Sequence, residues 1–229
     1  GAGTIHNLVG ATWLDSGTGS KSMRSVFGSV ADNTLALFNN AGTYTKSGTG
    51  TSAIGVNVTD TGTFTVTGGT LDFSALTNTH SATSTVTVEA GATLTNSGST
   101  QVLTGGTVAV AGTLSMTGSF AELNLAAAQV FSGPGTLVLA NGTLTGTATL
   151  TVNTSASLTG VDMRDTGTTL LNGTTTVSGS GFTMDGGRVL TNSGTVTWTA
   201  GTIELNGSGQ AGAGTIHNLV GATWLDSGT

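Results

Sequence analysis

The sequence predicts an all-β fold, a parallel β-solenoid of stacked coils, and three observations carry that expectation. The first is composition: charged residues make up only 7% of the chain, which holds 38 glycines and a single proline. Typical domains carry roughly 25% charged residues. The shortage of Glu, Lys and Arg removes the usual helix formers, while abundant Thr and Val suit a pleated, half-buried surface. The second is alternation of apolar residues with Thr, the period of a strand with one buried face. The third is repetition at two scales.

The shorter repeat defines the coils. GTFTVTGGTLDF (62–73), STVTVEAGATLT (84–95) and GTVAVAGTLSM (106–116) bring Phe64, Val86 and Val108 into register. Val66, Val88 and Val110 follow the same step, and Leu71, Leu94 and Leu114 come after a glycine turn. Such spacing predicts inward stacks, with Thr63, Thr65 and Thr85 facing water. GTVTWTAGTIEL (194–205) aligns in the same way with GTIHNLVGATWL (214–225). A β-sandwich array is the rival, but its strands would alternate in direction and lack a fixed step per coil. The expected unit is about ten coils of roughly 20–22 residues.

The longer repeat is a duplication. GAGTIHNLVGATWLDSGT occupies residues 1–18 and again 212–229, so Gly1 matches Gly212 and Trp13 matches Trp224. The expected organisation is one tandem repeat unit, 1–211, followed by the start of the next identical repeat, 212–229. Within the unit a turn motif recurs, apolar-x-Asn/Asp-x-Gly. It places Asn40 with Gly42, Asp60 with Gly62, Asn96 with Gly98 and Asn192 with Gly194. Asn and Asp tolerate left-handed backbone and bond their own turn, and glycine lacks a Cβ to clash. On adjacent coils such side chains would also bond one another along the stack.

FNNAGTYTKSGTGTSAIGV, GTFTVTGGTLDFS, LVLANGTLTGTATLTV and LTNSGTVTWTAGTIELNG, followed by IHNLVGATWLD, resemble the β-strand-repeat proteins of bacterial surfaces. They are similar to filamentous-haemagglutinin and autotransporter passenger repeats over nearly the whole unit. The resemblance implies a right-handed parallel β-helix, secretion, and a stalk, adhesin or fibre role in biofilm or at the cell surface.

Chemistry is sparse. Cysteine is absent, which excludes disulfides and zinc–thiolate sites. A formal charge of −6 with five basic residues argues against nucleic acid and against anionic membrane surfaces. No apolar run approaches the roughly 18 residues of a membrane span. The one charged cluster joins VDMRD (161–165) to MDGGR (184–188), placing Asp162, Arg164, Asp185 and Arg188 on neighbouring coils. Its simplest reading is a pair of solvent-exposed ion pairs rather than an acid–base or cation site. His6, His80 and His217 read as isolated, and no ligand spacing suggests a metal or other cofactor. Trp13, Trp198 and Trp224 read as filling an interior or interface. Thr-x-Thr rows resemble ice-binding surfaces, but Ala109 interrupts the row.

These features favour a structural, non-enzymatic protein: a stiff extracellular or cell-surface fibre whose partner is itself. The alternative is the stalk of a secreted adhesin with its receptor-binding tip elsewhere in the chain and a cell-surface or glycan ligand. A polysaccharide-binding or polysaccharide-cleaving β-helix ranks third.

Overall fold

The computed structural model describes residues 3–27, 30–31, 36–74, 77–207 and 209–228. It is an all-β parallel solenoid of three sheets, each of ten strands, and no helix occurs among the described residues. Every coil lays one strand on sheet I, one on sheet II and one on sheet III, in that order. The first coil uses Thr4–Asn7, Thr12–Asp15 and Lys21–Arg24, and the second uses Leu37–Asn40, Thr43–Lys46 and Thr51–Gly55. Between them a short antiparallel hairpin, Val26–Phe27 with Val30–Ala31, departs from the stack.

The strands are parallel because each coil returns to the same face in the same direction. Four-residue strands are the rule, and alternation sends their second and fourth residues inward, as the buried Phe64 and Val66 show. The registers read from spacing are those observed. Phe64 pairs with Val86, Val86 with Val108, and Val66, Val88 and Val110 stack beside them. On sheet III, Leu71, Leu94 and Leu114 form the equivalent column. The Thr row Thr45–Thr65–Thr87 ends at Ala109, as the sequence indicates. Burial of these columns supplies the main driving force, at roughly 25 cal/mol per Å² of apolar surface.

One expected alignment is wrong. Residues 194–205 do not stack on 214–225 at the 20-residue step that their likeness suggests. Thr215–Asn218 instead pairs with Val189–Asn192, and Thr223–Asp226 pairs with Thr195–Trp198. The connection from Glu204 to Thr215 contributes no strand, and it takes the chain from sheet I to sheet II before the next strand begins. Spacing alone does not register that detour.

The interior holds an aromatic string in its early coils. Trp13 meets Phe38 edge-on at 5.8 Å, Phe38 meets Phe64 at 6.2 Å, and Phe64 meets Phe73 at 5.5 Å. From Leu123 onward sheet I presents Leu125, Leu144, Val161, Met163, Phe182 and Met184 instead.

Candidate functional site

The inward column at the end of the sheet I strands is polar through the early coils. Asn7, Asn40, Asp60 and His80 occupy it, all buried. A buried amide or carboxylate without a partner costs about 1–3 kcal/mol, so each must be answered from an adjacent coil. Asn7 Nδ2 donates to Asn40 Oδ1 at 2.8 Å, and Asn40 Nδ2 donates to Asp60 Oδ1 at 2.8 Å. The other carboxylate oxygen of Asp60 lies 3.1 Å from His80 Nδ1, and His80 Nε2 lies 3.1 Å from Gln101 Oε1. Gln101 Nε2 donates to Ser99 Oγ at 2.6 Å, and Ser99 Oγ donates to Asn96 Oδ1 at 2.7 Å. A continuous hydrogen-bonded chain therefore crosses the interior from the first coil to the fifth. His80 is part of it, contrary to its reading as an isolated residue.

The Asn/Asp turn residues work through their side chains, not through left-handed backbone. Among the described non-glycine residues, positive φ occurs only at Asn141 and Asp165. Asp60 Oδ1 accepts from the Gly62 amide at 3.1 Å, and Asn192 Oδ1 accepts from the Gly194 amide at 3.0 Å. Asn40 and Asn192 also donate to the carbonyl opening the next strand one coil on, Thr63 and Thr223 respectively. Gly42 and Gly62 are required by close approach: a Cβ would collide with the carbonyls of Ala11 and Gly42. Gly194 meets the Gly173 carbonyl in the same way. The fourth instance differs, because Asn96 caps Ser99 instead and Gly98 has open space around it.

The charged cluster is only partly at the surface. Arg164 Nε donates to Asp162 Oδ2 at 2.7 Å in a half-exposed pair, and that hydrogen bond holds the guanidinium above its ordinary pKa. Asp185 and Arg188, by contrast, are fully buried. Arg188 Nη1 donates to the carbonyl of Arg164 at 2.7 Å and that of Gly146 at 3.3 Å, and Nε donates to Thr169 Oγ1 at 3.3 Å. Asp185 Oδ2 accepts from the Gln210 amide at 3.1 Å. The expected pair of solvent-exposed ion pairs is thus corrected. Arg188 is drawn inward because its planar fork can bind the carbonyls of several coils at once. Burial pushes its pKa down to about 10 despite the Asp165 charge, leaving it protonated at neutral pH.

A buried lysine also went unanticipated: Lys46 stacks over Asp15 and donates to the carbonyl of Gly48. Strand parity was the available signal, since TYTK puts Tyr44 and Lys46 inward and TNTH puts Asn78 and His80 inward.

The structure describes both copies of the duplicated segment except Gly1, Ala2 and Thr229, which lie outside the described residues. The first copy takes its neighbours from the coil above it: Ile5 lies against Phe38, Asn7 against Asn40, Trp13 against Tyr44 and Asp15 against Lys46. The second takes its neighbours from the coil below: Ile216 against Leu190, Asn218 against Asn192, Trp224 against Val196 and Asp226 against Trp198. Gly212 adopts φ 103° at the entry to this copy, where its carbonyl accepts from the Gly187 amide at 3.1 Å. The first two coils line a cleft of about 230 Å³ with Trp13, Asp15, Lys21 and Tyr44 among its residues. Burial pushes the Asp15 carboxyl up, but the nearby Ser52 hydroxyl, the hydrogen bonds from Lys21 and Tyr44, and the Lys21 charge outweigh it. The net effect holds Asp15 below its ordinary pKa.

Among the described residues no group of three or more His, Cys, Asp or Glu is placed to hold a metal ion. No family model, curated protein or solved structure matches the chain.

Proposed function

We propose that this chain is a structural protein, one unit of a stiff extracellular or cell-surface fibre built from tandem solenoid repeats. The observation that carries the reading is the seat of the second copy. Residues 215–218 and 223–226 extend sheets II and III in unbroken parallel register. In a solenoid each coil contacts only its neighbours, so stability and length both grow by addition. A polar interior column is suited to this role, because it fixes which residues face each other across every added coil. The buried positions of Asp185 and Arg188 support a packing role for them rather than work on a substrate.

The test is electron microscopy of chains carrying one to four consecutive copies. Unbranched rods lengthening by about 45 Å per copy are expected, from nine and a third coils at about 4.8 Å each. Compact particles, or a length that fails to grow with copy number, would overturn the fibre reading. Antibody labelling of intact producing cells checks the location: surface labelling is expected, and labelling only after lysis would overturn it.

A further inference from the structure

We infer that consecutive copies join head to tail with a turn of one face, the last full coil of one copy seating beneath the first coil of the next. This rests on the tandem-fibre reading. Counting from the first TIHN strand up to the second, the chain lays ten strands on sheet I and nine on each of sheets II and III, 28 in all. That is nine rounds of three with one strand over. The identical strand therefore starts on sheet I in the first copy and on sheet II in the second.

The two seats of the same residues are complementary. Asn7 uses its amide nitrogen, donating upward to Asn40 at 2.8 Å. Its counterpart Asn218 uses its oxygen, accepting from Asn192 Nδ2 at 2.7 Å. One asparagine can do both at once, so the column passes through the joint without reversing an amide. Merging the seats gives the rows Leu190–Ile5–Phe38, Asn192–Asn7–Asn40, Val196–Trp13–Tyr44 and Trp198–Asp15–Lys46. Trp198, already in register with the copy of Asp15, is carried under the cleft of Trp13, Asp15, Lys21 and Tyr44.

The third strand follows from the order of the sheets. Lys21–Arg24 of the next copy falls on sheet I, against Thr202–Glu204. Met23 and Ile203 both pack on the core, and setting them opposite each other places Arg24 beside Glu204 on the outer face. Each copy then shows its surface features one face further round. The outward Leu14 lies on sheet II and its counterpart Leu225 on sheet III. Three copies restore the starting face.

The cysteine-free chain allows the joint to be tested by paired spin labels on outward neighbours. Thr65→Cys with Thr87→Cys, deep in the stack, is the control for the solenoid itself. Strong dipolar coupling is expected for that pair and for Thr191→Cys with His217→Cys, but not for Glu204→Cys with His217→Cys. Coupling of the Glu204 pair in place of the Thr191 pair would mean that copies stack without turning, and would overturn the joint alone. A coupled control with neither seam pair coupled also overturns the joint alone. A silent control overturns the solenoid and the fibre reading with it. In a two-copy chain, Glu204→Cys should form a disulfide with Arg24→Cys of the second copy under mild oxidation. Its absence while the Thr191 pair still couples would overturn the placement of the third strand.

Discussion

The two halves of sheet I share a backbone plan and differ in what they bury. From Asn40 to His80 the last inward column is Asn, Asp and His, each hydrogen-bonded to the next coil, and His80 passes the chain to Gln101 in the neighbouring inward column. From Leu123 to Met184 the inward residues of sheet I are Leu, Val, Met and Phe, held by packing. Apolar columns are non-directional, so a slip by two residues keeps the inward face apolar. A polar column does not survive such a slip, because every donor would lose its acceptor. The early coils thus spend interior volume on register, and the later coils rely on volume itself.

The largest expected effect breaks the polar half. Asp60→Leu removes the acceptor of the Asn40 amide and of the His80 ring, and a loss of about 4 kcal/mol is expected in denaturant unfolding. In the apolar half, Leu144→Ala leaves a cavity and is expected to cost about 3 kcal/mol. Conservative swaps sharpen the contrast. Leu144→Met should cost less than about 1.5 kcal/mol, because it keeps volume. Asp60→Asn tests direction rather than volume. Its cost should fall to about 1 kcal/mol, since the Nε2–H tautomer of His80 can accept from the new amide at Nδ1 and donate at Nε2 to Gln101. Equal losses for Asp60→Leu and Asp60→Asn would show that the column acts by filling space alone.

A smaller effect concerns pH. Asp15 has a folded pKa below its unfolded value. Its contribution is fully present above the unfolded value, near 3.8, and is lost as pH falls through the lower folded pKa. Stability of the native chain should therefore drop in that acid window more steeply than that of Asp15→Asn, measured by denaturant midpoints. The smallest effect is expected outside: Thr87→Val on the outer face of sheet II should change stability by less than about 0.5 kcal/mol.

Much of this was legible from the residues. Alternation and glycine turns mark the strands, and the step from Phe64 to Val86 to Val108 is a ladder register written in the sequence. The polar interior was also within reach, because the parity that buries Phe64 in TFTV buries His80 in TNTH and Lys46 in TYTK. It was obscured by the usual expectation that charged and polar residues lie outside. The alignment of 194–205 with 214–225 failed for another reason. Similar strands on different faces have similar sequences, so likeness does not say which face a strand occupies.

Short strands with one buried face, their recurrence in coils and the return of residues 1–18 at 212–229 all follow from the order of the residues. Those are local properties, set by alternation, β-branching and turn chemistry over a few residues. Three features come from the closed stack instead: the returning segment lands one face further round, Asn7 and Asn218 meet their asparagine neighbours through opposite ends of the amide, and Arg188 lies inside. These depend on how many strands close each circuit and on which groups that closure brings within hydrogen-bonding distance.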